Sequence, residues 1–201
     1  MVTIIYNATV WFCEKLIHIG VIPECRKKIY VYGFELMFSS AVGIFCLAVL
    51  SALVGKPFAW IPYLAGFIPL RITGGGYHAK THFSCIMSFS LVFLLLLVLC
   101  SVICQMSYIN LLFAGIALGA AYYFAPVEAV NKPLSKAIQL KNRKRCLCIA
   151  CINTLTSFAV LITRVVCGIY TVMYYAGAFS AGISMIVVFF GNYKNRKHFI
   201  M

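Results

Sequence analysis

A thiol and two imidazoles share one short polar stretch, Arg71-Ile-Thr-Gly-Gly-Gly-Tyr-His78-Ala-Lys-Thr-His82-Phe-Ser-Cys85, set directly before an uninterrupted apolar run. A cysteine attacks as its thiolate, a form favoured at a helix N-terminus and near positive charge. Cys85 stands at the start of the apolar run with Arg71, His78, Lys80 and His82 close in sequence, surroundings that no other of the ten cysteines has. An imidazole beside that thiol would take and return a proton, so the residue types point to acyl transfer through a cysteine.

Spacing leaves two candidate bases. His82 precedes Cys85 by three residues, which makes the two neighbours on a continuous helix. His78 precedes it by seven, the same helical face but about 10.5 Å along the axis, too far for a hydrogen bond. Spacing therefore favours His82, and a His78 base requires a bend or non-helical path before Cys85. Gly74, Gly75 and Gly76 supply such freedom, and consecutive backbone N–H groups there are also candidates to hold a developing oxyanion. No third catalytic residue is obvious, with Thr73, Ser84 and Glu128 the candidates to orient the base. The plainer reading is an interfacial turn whose basic residues touch lipid head groups.

The elements that must position these residues are set by the solvent. The 201 residues are 63% hydrophobic and only 10% charged, with a mean hydropathy of +0.97, more apolar than a water-soluble domain. The expected fold class is an all-α polytopic membrane protein. Residues 36–54, 86–104, 108–125 and 146–163 carry no charge over a span-compatible length, and 165–190 is long enough to span with tilt. Residues 58–70 fall short of the roughly 20 needed to cross and contain Pro62 and Pro69, so a short crossing or a re-entrant hairpin is expected.

Charge placement decides between them, since Lys and Arg collect on the cytoplasmic side. With six crossings both termini lie inside, and of the 17 basic residues only Lys56 and Arg164 fall outside. A hairpin would move Arg71, Lys80 and the cluster from Lys132 to Arg145 outward, so six spans are expected, with the 71–85 loop facing the cytoplasm.

The first twenty residues resemble neither a cleavable signal nor a span, because Glu14, Lys15 and His18 interrupt them. Ile5, Ala8, Phe12, Leu16 and Ile19 gather on one side of a helical wheel, opposite Thr3, Asn7, Glu14 and His18, as for an amphipathic helix lying in the interface. No linker or repeat appears, so residues 1–201 form one membrane domain: an interfacial helix and basic turn (1–30), the 71–85 loop, and a basic loop (126–145). Gly115-Ile-Ala-Leu-Gly119 has the spacing that lets membrane helices approach closely.

The net charge of +13 fits short basic loops beside apolar spans and anionic lipid, and no nucleic-acid-reading module is visible. Most cysteines fall inside spans or on the reducing side and read as small apolar fillers. Cys146-Leu-Cys148-Ile-Ala-Cys151 resembles a metal ligand set only superficially, without a nearby His or a second pair at zinc-finger spacing. No metal and no cofactor is expected.

Arg71, the pair Gly75-Gly76 followed by Tyr77-His78-Ala79, Cys85 seven residues on, and the later Ala125-Pro126-Val127-Glu128 with Asn131-Lys132-Pro133 resemble the accessory gene regulator B family. The resemblance covers nearly the whole chain, including length and span count. It implies a bacterial membrane cysteine endopeptidase that processes the precursor of a cyclic autoinducing peptide for quorum sensing. His78 and Cys85 are then the catalytic pair, overruling the geometric preference for His82, and an internal nucleophile of the precursor captures the Cys85 acyl-thioester as a thiolactone or lactone. Arg71, Gly75 and Gly76 match the same motif and take supporting roles. Lys132, Lys141, Arg143, Lys144 and Arg145 are candidates to bind an acidic tail of the amphipathic precursor, and Glu128 to orient a base or close a salt bridge. The resemblance also suggests a homodimer. A peptide transporter is the competing class: Pro62, Pro69, the triple glycine and Arg164 would suit a broken helix lining a path. Against it stand the absence of a nucleotide-binding loop and of a second half resembling the first.

Overall fold

The computed structural model describes residues 2–76, 81–103, 106, 108–127, 135–163 and 168–198. Among these the regular structure is helical: α1 (Val2–His18), a 3-10 turn at Glu24–Arg26, α2 (Lys27–Leu53), α3 (Trp60–Gly74), α4 (His82–Ile103), α5 (Tyr108–Phe124), α6 (Lys136–Thr163) and α7 (Ile169–His198). Four stretches, Glu24–Leu53, Phe83–Ile103, Lys136–Thr163 and Ile169–Gly191, are long and apolar enough to cross a bilayer, and Tyr108–Phe124 is a shorter apolar helix. The chain is a helical membrane protein. Residues 60–74 form one uninterrupted helix with Pro69 inside it, about 22 Å long at the usual rise, with no hairpin turn.

The chain divides into two compact units, residues 1–50 with 78–94, and residues 51–77 with 95–201. In the first, α1 packs on α2. The Phe12 ring meets Phe34 at 5.0 Å and Phe38 at 6.4 Å, both edge-on, the arrangement that the ring quadrupoles favour. Thr9 and Cys13 are fully buried, whereas Ala8 and Ile19 are exposed. Phe12 of the apolar face fits between two rings of α2, while Ala8 and Ile19 of that face are left uncovered by protein. Glu14 and Lys27 close an ion pair at 2.8 Å, and Lys15 lies 4.2 Å over the Trp11 ring. Gly43 of α2 leaves room for Ile86 of α4, 3.9 Å from where a Cβ would stand.

In the second unit α3 and α5 both pack on α7, and α6 packs on α5 and α3. The α3–α7 contact is a glycine contact from both sides: a Cβ on Gly66 would strike the Tyr174 carbonyl, and one on Gly177 the Tyr63 carbonyl. Backbone thus touches backbone, the route by which membrane helices gain van der Waals contact that lipid cannot match. On the α5 side Gly182 faces Ala117 and Ala120 at 3.1 and 3.3 Å. Gly115 and Gly119 have nothing within 4 Å of a Cβ, so the spacing motif on α5 does not make the close approach; Ala114, Ala117, Ala120 and Ala121 are the buried face. Polar side chains inside the bundle bond one another. The Tyr63 hydroxyl donates to Ser180 Oγ at 3.0 Å, Tyr174 to Asn153 Oδ1 at 2.7 Å, and Tyr175 to Thr156 Oγ1 at 3.2 Å.

The expected 126–145 loop is shorter than the sequence reading gave. Residues 136–145 are the first turns of α6, because Lys, Ala, Gln, Leu and Arg are strong helix formers even where no apolar face directs them.

Candidate active site

Cys85 lies in the first turn of α4, and the local sequence explains why the helix begins there. Thr81 Oγ1 accepts the Ser84 N–H at 3.2 Å, an N-cap bond that satisfies one of the donors a helix start leaves open. The Cys85 N–H then donates to the Thr81 carbonyl at 3.1 Å, the first regular helical bond. The thiol is only partly buried. It stands in the first turn, where a helix leaves backbone N–H groups open. His82 is the first residue of the same helix, three positions before Cys85. His78 lies outside the described residues, as do Glu128 and Lys132.

Arg71, Gly75 and Gly76 come together in the second unit at the exit of α3, and each glycine of the triplet has a separate reason. At Gly74 a Cβ would press on the Met185 side chain and stand 3.0 Å from Cys146 Sγ. Gly75 closes the helix with φ 76°, and its N–H donates to the Arg71 carbonyl at 3.1 Å. A Cβ there would strike the Val127 carbonyl, since Val127 pairs with Gly75 in an isolated bridge, its N–H donating to the Gly74 carbonyl at 2.9 Å. Gly76 has φ 139°, and a Cβ on it would strike both the Arg71 guanidinium and the Ser184 hydroxyl. Positive φ is the region where glycine alone is unstrained. The Gly75 N–H is thus committed to the helix end, which removes it from the expected oxyanion donors. Thr73 likewise spends its hydroxyl on the Pro69 carbonyl at 2.8 Å.

Lys141, Arg143, Lys144 and Arg145 are all exposed on the first turns of α6. Cys146 is buried against the α3 exit, whereas Cys148 and Cys151 are exposed; residues two apart on a helix point to different sides, so these three thiols do not converge. Thr81 and Ser184 are the features that sequence reading missed, and Val127 entered it only within the Ala125-Pro126-Val127-Glu128 motif. Thr81 had a signal, a threonine just ahead of an apolar helix; Ser184, in the middle of an apolar run, had none.

The sequence model of the family described as accessory gene regulator B matches residues 9–190. The chain belongs to the accessory gene regulator B family. The matched region contains Arg71, the three glycines, Cys85, Val127 and Ser184. No curated protein and no solved structure matches the chain. Membership in the accessory gene regulator B family assigns the protein to the agr quorum-sensing system.

Proposed function

We propose that the protein is a membrane-embedded cysteine endopeptidase that removes the C-terminal tail of an autoinducing-peptide precursor. The observation that carries the reading is Cys85 itself: a partly buried thiol in the first turn of a helix capped by Thr81. The Cys85 thiolate attacks the carbonyl carbon of the scissile bond and His78 accepts the thiol proton. The tetrahedral adduct collapses, the C–N bond breaks, and His78 returns the proton to the departing amine. An internal thiol or hydroxyl of the precursor then attacks the acyl-thioester, giving the ring and restoring the Cys85 thiol. Exchange of one thioester for another is nearly balanced in energy, so exclusion of water near the bilayer interface favours the ring over hydrolysis.

The same reading sets the topology. Six crossings, with α3 and α5 as short spans, leave Lys56 and Arg164 as the only basic residues outside, the bias that orients membrane proteins. Both termini, the Cys85 end of α4 and the basic start of α6 then face the cytoplasm, where an acidic tail on an amphipathic precursor meets Lys132, Lys141, Arg143, Lys144 and Arg145. The protein works as a homodimer in this account.

The test is cleavage of the cognate precursor by purified wild-type, Cys85→Ala, His78→Ala and His82→Ala protein in lipid vesicles. Loss in the Cys85 and His78 variants with retention in His82→Ala is the expected pattern. Undiminished cleavage by Cys85→Ala removes the proposal and leaves peptide transport in the lead.

A further inference from the structure

The first ten residues of α6, Lys136 to Arg145, carry five cations, and α6 has no acidic residue along its whole length. The chain holds 17 basic residues against 4 acidic ones, so most of its positive charge must be met by anions from outside it. Among the described residues Glu14 pairs with Lys27, and Lys141, Lys144 and Arg145 make no ion pair.

These cations do not share one side of the helix. Lys141, Lys144, Cys148, Cys151, Leu155 and Phe158 follow one another in steps of three and four residues, which places them on one face, and all six are exposed. Cys146, Ala150, Asn153 and Ser157 form the face buried in the bundle. Arg143 lies on the side of Ala150 and Ser157, two and four turns before them, and Lys136 lies on the same side two turns before Arg143.

The exposed face is the one that meets hydrocarbon, since Lys136–Thr163 is long and apolar enough to cross a bilayer. Lys144 stands about 3 Å and Lys141 about 7.5 Å along the axis before Cys146, where the uncharged run begins. The head-group layer is about 5–7 Å deep on each side of the hydrocarbon core, and a lysine stem runs along apolar surface to place its ammonium there. Half of the core, about 15 Å, is about ten residues of helix, the distance from Cys148 to Phe158. A molecule lying on this face therefore meets cations at one end and apolar side chains over the depth of one leaflet. A phospholipid has that form, whereas a peptide in water would meet the lysines alone.

We propose that the Lys141–Lys144 face of α6 is a binding site for an anionic phospholipid, with the head group on the two ammonium groups and an acyl chain along Cys148, Cys151, Leu155 and Phe158. Arg145, one turn after Lys141, flanks the head group. The site stands without the peptidase reading. It narrows the surface open to the precursor's acidic tail, since Arg143 lies off this face while Lys141 and Lys144 have the lipid as their partner.

The experiment titrates the full-length protein in detergent micelles with phosphatidylglycerol or phosphatidylcholine and reads bound lipid by native mass spectrometry. Wild type is compared with three double variants: Lys141→Gln with Lys144→Gln, Lys136→Gln with Arg143→Gln, and Lys141→Arg with Lys144→Arg. Each cation near an anionic surface strengthens attraction about fivefold, so loss of Lys141 and Lys144 should weaken phosphatidylglycerol binding at least about tenfold. The Lys136 and Arg143 pair removes the same charge from another side and should stay within about threefold of wild type. The arginine pair should bind as wild type does, and phosphatidylcholine should distinguish none of the four proteins. Phosphatidylglycerol with a photoreactive acyl chain should cross-link within residues 148–158.

Equal losses in the two glutamine pairs reduce the effect to net charge and overturn the proposal, as does wild-type binding by Lys141→Gln with Lys144→Gln. Displacement of the lipid by an equal concentration of soluble glycerol phosphate makes the site one for a free phosphate. Hexaglutamate that binds wild type and not the Lys141→Gln, Lys144→Gln protein, with phosphatidylglycerol binding unchanged, makes it a peptide site; either result refutes the lipid assignment. Cross-links confined to other helices refute the acyl-chain placement. No arm reads precursor cleavage, so failure here and failure of the peptidase reading are separate outcomes.

Discussion

Gly177→Ala and Gly115→Ala are the same chemical change on two membrane helices, and the structure gives them opposite signs. In both cases alanine gains about 1 kcal/mol of helix propensity over glycine. At Gly115 nothing lies within 4 Å of the new methyl, so the propensity gain stands alone and the variant is neutral or more stable. At Gly177 the methyl strikes the Tyr63 carbonyl and stands 3.0 Å from the Phe67 nitrogen. Those are backbone atoms of α3 and cannot rotate away, so the helices must part, and the cost sits at the upper end of the overpacking range, about 3 kcal/mol. The net destabilisation is about 2 kcal/mol, about a 30-fold shift in the unfolding equilibrium. Reversible unfolding of both variants by denaturing detergent in mixed micelles, followed by circular dichroism, measures the difference directly. A Gly177→Ala protein as stable as wild type, or a Gly115→Ala protein that loses as much, refutes the packing reasoning and restores the α5 glycines as the close-approach pair.

Further expectations follow from the same contacts. Gly75→Ala places a methyl on the Val127 carbonyl at a residue with φ 76°, and left-handed backbone alone costs alanine about 1–2 kcal/mol; the folded protein should lose precursor cleavage, read by mass spectrometry, while Gly119→Ala keeps it. Tyr63→Phe removes the buried hydroxyl that donates to Ser180 at 3.0 Å, and detergent unfolding should show a loss of about 0.5–1 kcal/mol, since Ser180 keeps its bond to the Gly177 carbonyl. Maleimide labelling in mild detergent should modify the exposed Cys25 well before the buried Cys13, Cys100 and Cys146. Burial pushes the Cys13 thiol above its ordinary value; less thiolate is then present at neutral pH, so its labelling should stay slow there and rise only as the pH climbs past the usual thiol range. Labelling of Cys13 as fast as Cys25 at neutral pH counts against the α1–α2 packing.

The long helices were legible because the bilayer demands apolar residues of anything inside it: the run at 86–104 became α4 and that at 146–163 the greater part of α6. Cys85 was legible for a related reason, as a thiol at the point where an apolar run begins must sit near a helix N-terminus. Contacts between helices were less readable. Gly115 and Gly119 carry the spacing of a contact pair, but whether a glycine is a contact depends on the backbone opposite it, and the partner of Gly177 is Tyr63, more than a hundred residues away in sequence. Each member of the triple glycine is explained by what fills its Cβ position: Met185 and Cys146 at Gly74, the Val127 carbonyl at Gly75, and Arg71 with Ser184 at Gly76, most of them far away in sequence.

The central claim is covalent: the precursor passes through an acyl-thioester on Cys85. Intact-mass analysis of the purified protein mixed with precursor, quenched early at low pH, tests it most directly. The account expects an adduct equal to the precursor without its C-terminal tail, lost on hydroxylamine treatment, mapped to Cys85 and absent from Cys85→Ala. Tail release with no adduct on Cys85, or an adduct that survives in Cys85→Ala, contradicts it.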